Sequence, residues 1–80
     1  MPRYHFNVSD GQAIPDRHGT EFADLKTAQR CAVRYAGQLL SEIGEEFWAG
    51  EDWVMTVTDA RGLTLFTLSL VATLAPAYSL

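Results

Sequence analysis

The sequence predicts an α+β domain in which two β-hairpins form one antiparallel sheet and a single amphipathic helix packs on one face. Three observations carry that expectation. Tyr4, Phe6 and Val8 alternate with His5, Asn7 and Ser9, the period-2 pattern of a half-buried strand. Apolar residues between Leu25 and Ile43 recur at helical spacing. Two β-rich runs, Trp53–Thr58 and Leu63–Leu70, flank the turn sequence Asp59-Ala60-Arg61-Gly62.

Each element has its own local cause. Asp10-Gly11 closes the first strand, Arg3 to Ser9, because glycine accepts positive φ and an aspartate side chain can bond nearby backbone. A short return strand, Gln12 to Ile14, completes the hairpin, and Pro15 ends it because proline donates no ladder hydrogen bond. Asp16 to Thr20 reads as a polar loop. Asp24 is placed to cap the helix, its carboxylate accepting the first unpaired amides. The helix then runs from Leu25 to about Ile43, with Leu25, Ala28, Ala32, Tyr35, Ala36, Leu39 and Ile43 on one stripe and Gly44 as a left-handed C-terminal cap. Glu45 to Asp52 reads as a loop that holds Phe47 and Trp48. The order is strand, strand, helix, strand, strand, a domain over residues 1–70 followed by an apolar tail, 71–80, suited to an interface.

Bulk properties bound the function. Eighty residues with 48% hydrophobic and 20% charged content fit one ordinary globular domain. A chain of this size buries only roughly 60–65% of its unfolded surface, so stability is marginal and deep cavities are hard to build. The net charge of −4 argues against bulk attraction to nucleic acid or an anionic membrane. A lone cysteine, Cys31, permits no internal disulfide, and Met1 to Asn7 lacks the apolar run of a signal peptide, which points to the cytoplasm. Residues 63–80 carry no charge and approach the length of a membrane span. Five of those eighteen are Ser or Thr, Pro76 interrupts them and their first half alternates like a strand, so a membrane partner is not expected.

The residues Met1-Pro2-Arg3-Tyr4-His5-Phe6-Asn7-Val8-Ser9-Asp10-Gly11, then Pro15-Asp16, Gly19-Thr20-Glu21-Phe22, Asp24-Leu25, Ala28, Ala32, Val57-Thr58-Asp59 and Gly62, carry a resemblance. From Met1 to about Leu70 the chain resembles a family of short uncharacterised bacterial proteins, common in soil- and plant-associated bacteria and catalogued as a domain of unknown function. Two departures stand out: His5 replaces a more usual aromatic, and the tail after Leu70 is more apolar than the family's. The motif residues belong to turns and caps, and the resemblance implies no activity, cofactor or catalytic residue. A fainter likeness, of architecture alone, is to small antitoxin-type domains.

The chemistry-bearing residues are sparse. His5, His18 and Cys31 are the only nitrogen and sulfur ligands and match no zinc spacing, so no metal or other cofactor is expected. Cys31 sits mid-helix, without the helix N-terminus or neighbouring base that activates a thiolate, and behaves as a small hydrophobe. No nucleophile elbow, phosphate loop or dinucleotide fingerprint is present, so no catalytic residue is expected and the protein reads as a non-enzyme. Glu42, Glu45, Glu46, Glu51 and Asp52 more often form a solvated rim than an acid–base pair. Yet they oppose the dipole at the helix C-terminus, which can mark a partner site.

Two surfaces remain. Lys26, Arg30 and Arg34 fall at i, i+4 and i+8 as one basic ridge, an anion-binding candidate whose bland reading is a solvated helix face. No aromatics interleave them, which argues against nucleic acid. Phe47, Trp48 and Trp53, with Leu68, Leu70, Leu74 and Tyr78, are the interface candidates. Their bland reading is that Trp53 fills the core and Trp48 lids the helix end. With the tail, they exceed what a small domain readily covers alone, so the expected partner is a second copy in a homodimer or another small protein.

Overall fold

A computed structural model describes residues 1–49 and 52–76. Its elements are β1 (Arg3–Ser9), β2 (Ala13–Ile14), β3 (Thr20–Glu21), α1 (Leu25–Ile43), α2 (Glu46–Ala49), β4 (Trp53–Thr58) and β5 (Thr64–Leu70). The strands form one antiparallel sheet ordered β2-β1-β4-β5, and β3 joins β1 on the same side as β2. This is the expected α+β arrangement of strands, helix, strands, with two elements added. The loop expected at Asp16–Thr20 ends in β3, and the loop expected at Glu45–Asp52 contains the single turn of α2.

Register explains the core. Phe6 pairs with Val57 and Val57 with Phe66; Val8 pairs with Met55 and Met55 with Leu68; Trp53 pairs with Leu70. Directly paired residues share a face, so these rows form the side that α1 covers. Behind them, the rows His5–Thr58–Thr64, Asn7–Thr56–Thr67 and Ser9–Val54–Ser69 make a hydroxyl-rich outer face. A bulge between Val57 and Thr58 leaves Leu65 as the extra residue on β5.

From the helix, the fully buried residues are Ala28, Ala32 and Ala36. Small side chains let the helix axis approach the sheet, and the sheet supplies the bulk: Tyr4, Phe6, Trp53 and Met55. Two members of the expected stripe, Leu25 and Tyr35, lie at its margin and stay partly exposed. Asp24 caps the helix as predicted, with Oδ1 accepting from the Thr27 amide at 2.8 Å and the Thr27 hydroxyl at 2.7 Å. Gly44 ends it with φ near 60°, its amide donating to the Leu40 carbonyl at 3.0 Å. The helix shelters β1 and β4 best. On β5, Phe66 and Leu68 are only half-buried.

Candidate functional site

The two outer sides of the sheet are built differently. Along β1, Tyr4 pairs with Thr20 and Val8 with Ile14, which leaves Phe6 between two short strands with no strand opposite. Asp16 fills that gap: its Oδ2 accepts from the Phe6 amide at 3.0 Å and its Oδ1 from the Gly19 amide at 3.0 Å. Asn7 secures the same loop, its Oδ1 accepting from the Asp16 amide at 2.9 Å while Nδ2 donates to the Thr56 carbonyl at 3.1 Å. His5 Nδ1 donates to the Asp16 carbonyl at 2.8 Å, and Arg3 donates to the His18 carbonyl at 2.9 Å.

Electrostatics follow the geometry. Partial burial pushes the Asp16 carboxyl up, but the amides of Gly19, Phe6 and His18, with nearby His5, outweigh it and hold it below the ordinary aspartate value. Gly19 sits at φ +71°, and a Cβ there would lie 2.9 Å from Arg3 Cγ, His5 Cε1 and the Tyr4 carbonyl oxygen. Glycine is therefore required both by backbone conformation and by the closeness of β1.

At the other side, β5 is the last strand and its outer edge faces no further strand among the described residues. Residues 62–76 contain no charge and β5 contains no proline. Leu63, Leu65 and Leu70 are exposed on or beside it, and the described part of the tail adds Val71 at 64% and Leu74 at 61% exposure. Asp59 organises the turn that launches the strand, its Oδ1 accepting from the Arg61 amide at 2.8 Å and the Leu63 amide at 3.0 Å. Those bonds, the Leu63 amide foremost, hold its carboxyl below the ordinary value.

The interface candidates therefore separate. Leu70 and Leu74 are exposed, Leu68 is half-buried against the core, and Tyr78 lies outside the described residues. Phe47 packs against the core edge-on to Trp48, their ring centres 6.3 Å apart, while Trp48 is 63% exposed. Trp53 is 1% exposed and belongs to the core, so it presents no contact surface. Its bulk and the start of β4 beneath the helix end put it there. Lys26, Arg30 and Arg34 remain on the exposed side of α1, and none forms a salt bridge among the described residues.

A groove absent from the sequence expectations lies between the C-terminal half of α1, α2 and the β2 hairpin. It encloses about 570 Å3, with Phe6, Val8 and Trp53 in its floor and Ile14, Tyr35 and Leu39 in its walls. The Trp53 indole N–H is buried and has no acceptor among the described residues. Leaving such a donor unpaired costs about 1–3 kcal/mol. The only hint in the sequence was the acidic crowding at the helix C-terminus, since Glu42 and Glu46 both line the groove. Among the described residues, no three His, Cys, Asp or Glu side chains converge as metal ligands, and no helix is long and apolar enough to cross a membrane.

Fold and site together define a small α+β domain with one sheet edge closed by a side chain and the other left open among the described residues. The chain belongs to the family described as Domain of unknown function (DUF6894), whose model matches residues 3–72. No curated protein and no solved structure matches it.

Proposed function

We propose that this protein is a small non-enzymatic interaction module of the cytoplasm that self-associates, pairing β5 with β5 of a second copy across a two-fold axis. The observation that carries this reading is the uncharged outer edge of β5, whose main-chain groups face no further strand among the described residues and are bordered by exposed Leu65, Leu70, Val71 and Leu74. Monomeric proteins commonly blunt such an edge with lysine, proline or a covering segment. This strand has neither residue.

A second copy suits the edge on three grounds. Antiparallel pairing of identical strands is self-complementary, so one surface serves both partners. The contact is neutral in a chain of net charge −4, so the repulsion between two acidic copies is kept away from the seam. Half-buried Phe66 and Leu68, together with Leu70, would meet their counterparts on the helix side and extend the core across the junction.

Light scattering coupled to size exclusion over a concentration series tests this directly. The wild type is expected to give a dimer mass at tens of micromolar. In the double variant Thr67→Lys/Ser69→Lys both side chains stand on the exposed outer face, so the fold is retained while like charges meet across the seam. That variant is expected to run as a monomer with an unchanged circular dichroism spectrum. A wild type still monomeric at about 100 micromolar, or a double variant that still dimerises, overturns the reading.

A further inference from the structure

We propose that the groove between α1, α2 and the β2 hairpin binds a small amphipathic organic cation, one with an apolar body and a protonated amine. Its volume, about 570 Å3, falls in the range of small-molecule sites, which runs from about 300 to 1,000 Å3. The floor is apolar and aromatic. Phe6, Val8 and Trp53 come from the sheet, while Tyr35, Leu39 and Ile43 come from the helix. Ile14, on the two-residue strand β2, is left 54% exposed at the lip, an apolar side chain that an occupant would cover.

Charge selects the ligand class. The lining carries the carboxylates of Asp10, Asp16, Glu42 and Glu46 against one guanidinium, Arg17, and the imidazole of His18. The Asp16 carboxylate is engaged by main-chain amides, but Asp10, Glu42 and Glu46 form no ion pair among the described residues. Glu42 and Glu46 also stand around the C-terminus of α1, where the negative end of the helix dipole adds to their field. A cation entering there meets carboxylates without an ion-pair partner among the described residues, whereas an anion would add to their charge.

The experiment titrates isotope-labelled full-length protein with phenethylamine, which combines an aromatic body and an ammonium, and follows the tryptophan indole N–H resonances, since Trp53 lies in the groove floor. Trp48→Phe removes an exposed ring and leaves Trp53 as the one indole signal. The amine is expected to move that signal saturably with a Kd below about 1 mM. Phenylpropionate, which inverts the charge, is expected to bind at least about tenfold more weakly. Glu42→Gln/Glu46→Gln should weaken the amine by a similar factor while the spectrum stays that of the folded protein. Binding that does not saturate, equal affinity for amine and carboxylate, or saturation without movement of the Trp53 signal overturns the proposal. No β5 residue lines the groove, so this inference and the self-association reading stand or fall separately.

Discussion

The two edges of the sheet meet the same physical problem with opposite solutions. Beyond β1, two strands of two residues each leave a gap, and one carboxylate with a tight glycine loop closes it. Beyond β4 stands a strand of seven residues, regular from Phe66 to Leu70, with nothing on its outer side among the described residues. An edge sealed by a loop cannot accept another strand, whereas an edge of regular, uncharged β-structure can. The difference gives the molecule a direction: the proposed self-association would run through β5, and the β1 side shapes a groove against the helix end. The lysine pair at Thr67 and Ser69 tests the open edge, and substitutions in the Asp16 loop test the closed one.

The largest effect is expected from Asp16→Ala. It strips two main-chain donors of their acceptor, one of them the amide of buried Phe6, and should cost about 2–4 kcal/mol in denaturant unfolding. Asp16→Asn keeps an acceptor oxygen for one of the two amides and sets its NH2 against the other, so it should cost between half and all as much. If alanine and asparagine are equally mild, the carboxylate does not seal the edge and the contrast between the two sides dissolves. Gly19→Ala should follow, at about 2–3 kcal/mol, because a side chain is strained at φ +71° and the Tyr4 carbonyl in its path is main chain. Gly44→Ala, at the helix C-cap, has open space around it and pays only the conformational part, about 1 kcal/mol. A larger loss at Gly44 than at Gly19 would show that contact with β1 is not what makes Gly19 necessary.

These residues also show why part of the molecule was legible in the sequence and part was not. Alternation in Tyr4–Val8 and Trp53–Val57 displays which side chains enter the core, because burial on one face imposes period 2. Asp24 and Gly44 could be placed because capping is local to a few residues. The Asp16 seal could not, since it joins a loop carboxylate to an amide ten residues earlier and leaves no periodic trace. β3 is two residues long and α2 four, too short for a repeating pattern to emerge. Trp53 was legible as core by its place in an alternating strand, yet the same tryptophan also read as an interface anchor, and only packing under the helix end separates the two. The groove draws its walls from four separate segments, so acidic crowding near Ile43 was the one sign of it along the chain.

Acid should separate the two edges more finely. Asp16 holds the closed side, Asp59 the turn into the open side and Asp24 the helix start, and all three carboxyls titrate below their ordinary value. At Asp24 the Thr27 hydroxyl is the foremost cause. A folded-state value below the unfolded one means that each contribution is complete above the unfolded value and is lost as pH falls through the folded one. Melting temperature should therefore be flat near neutrality and decline between about pH 5 and 2. The contributions are not equal. Asp24 and Asp59 are solvent-exposed at the carboxyl, where water screens much of the effect, whereas Asp16 is partly buried and accepts main-chain amides beside the core. Asp16→Asn should flatten the acid decline visibly, and Asp59→Asn should barely alter it. Equal flattening by the two would mean that the β4–β5 turn is held as strongly as the sealed edge, and the open edge would then lie beside a support as firm as the closed one.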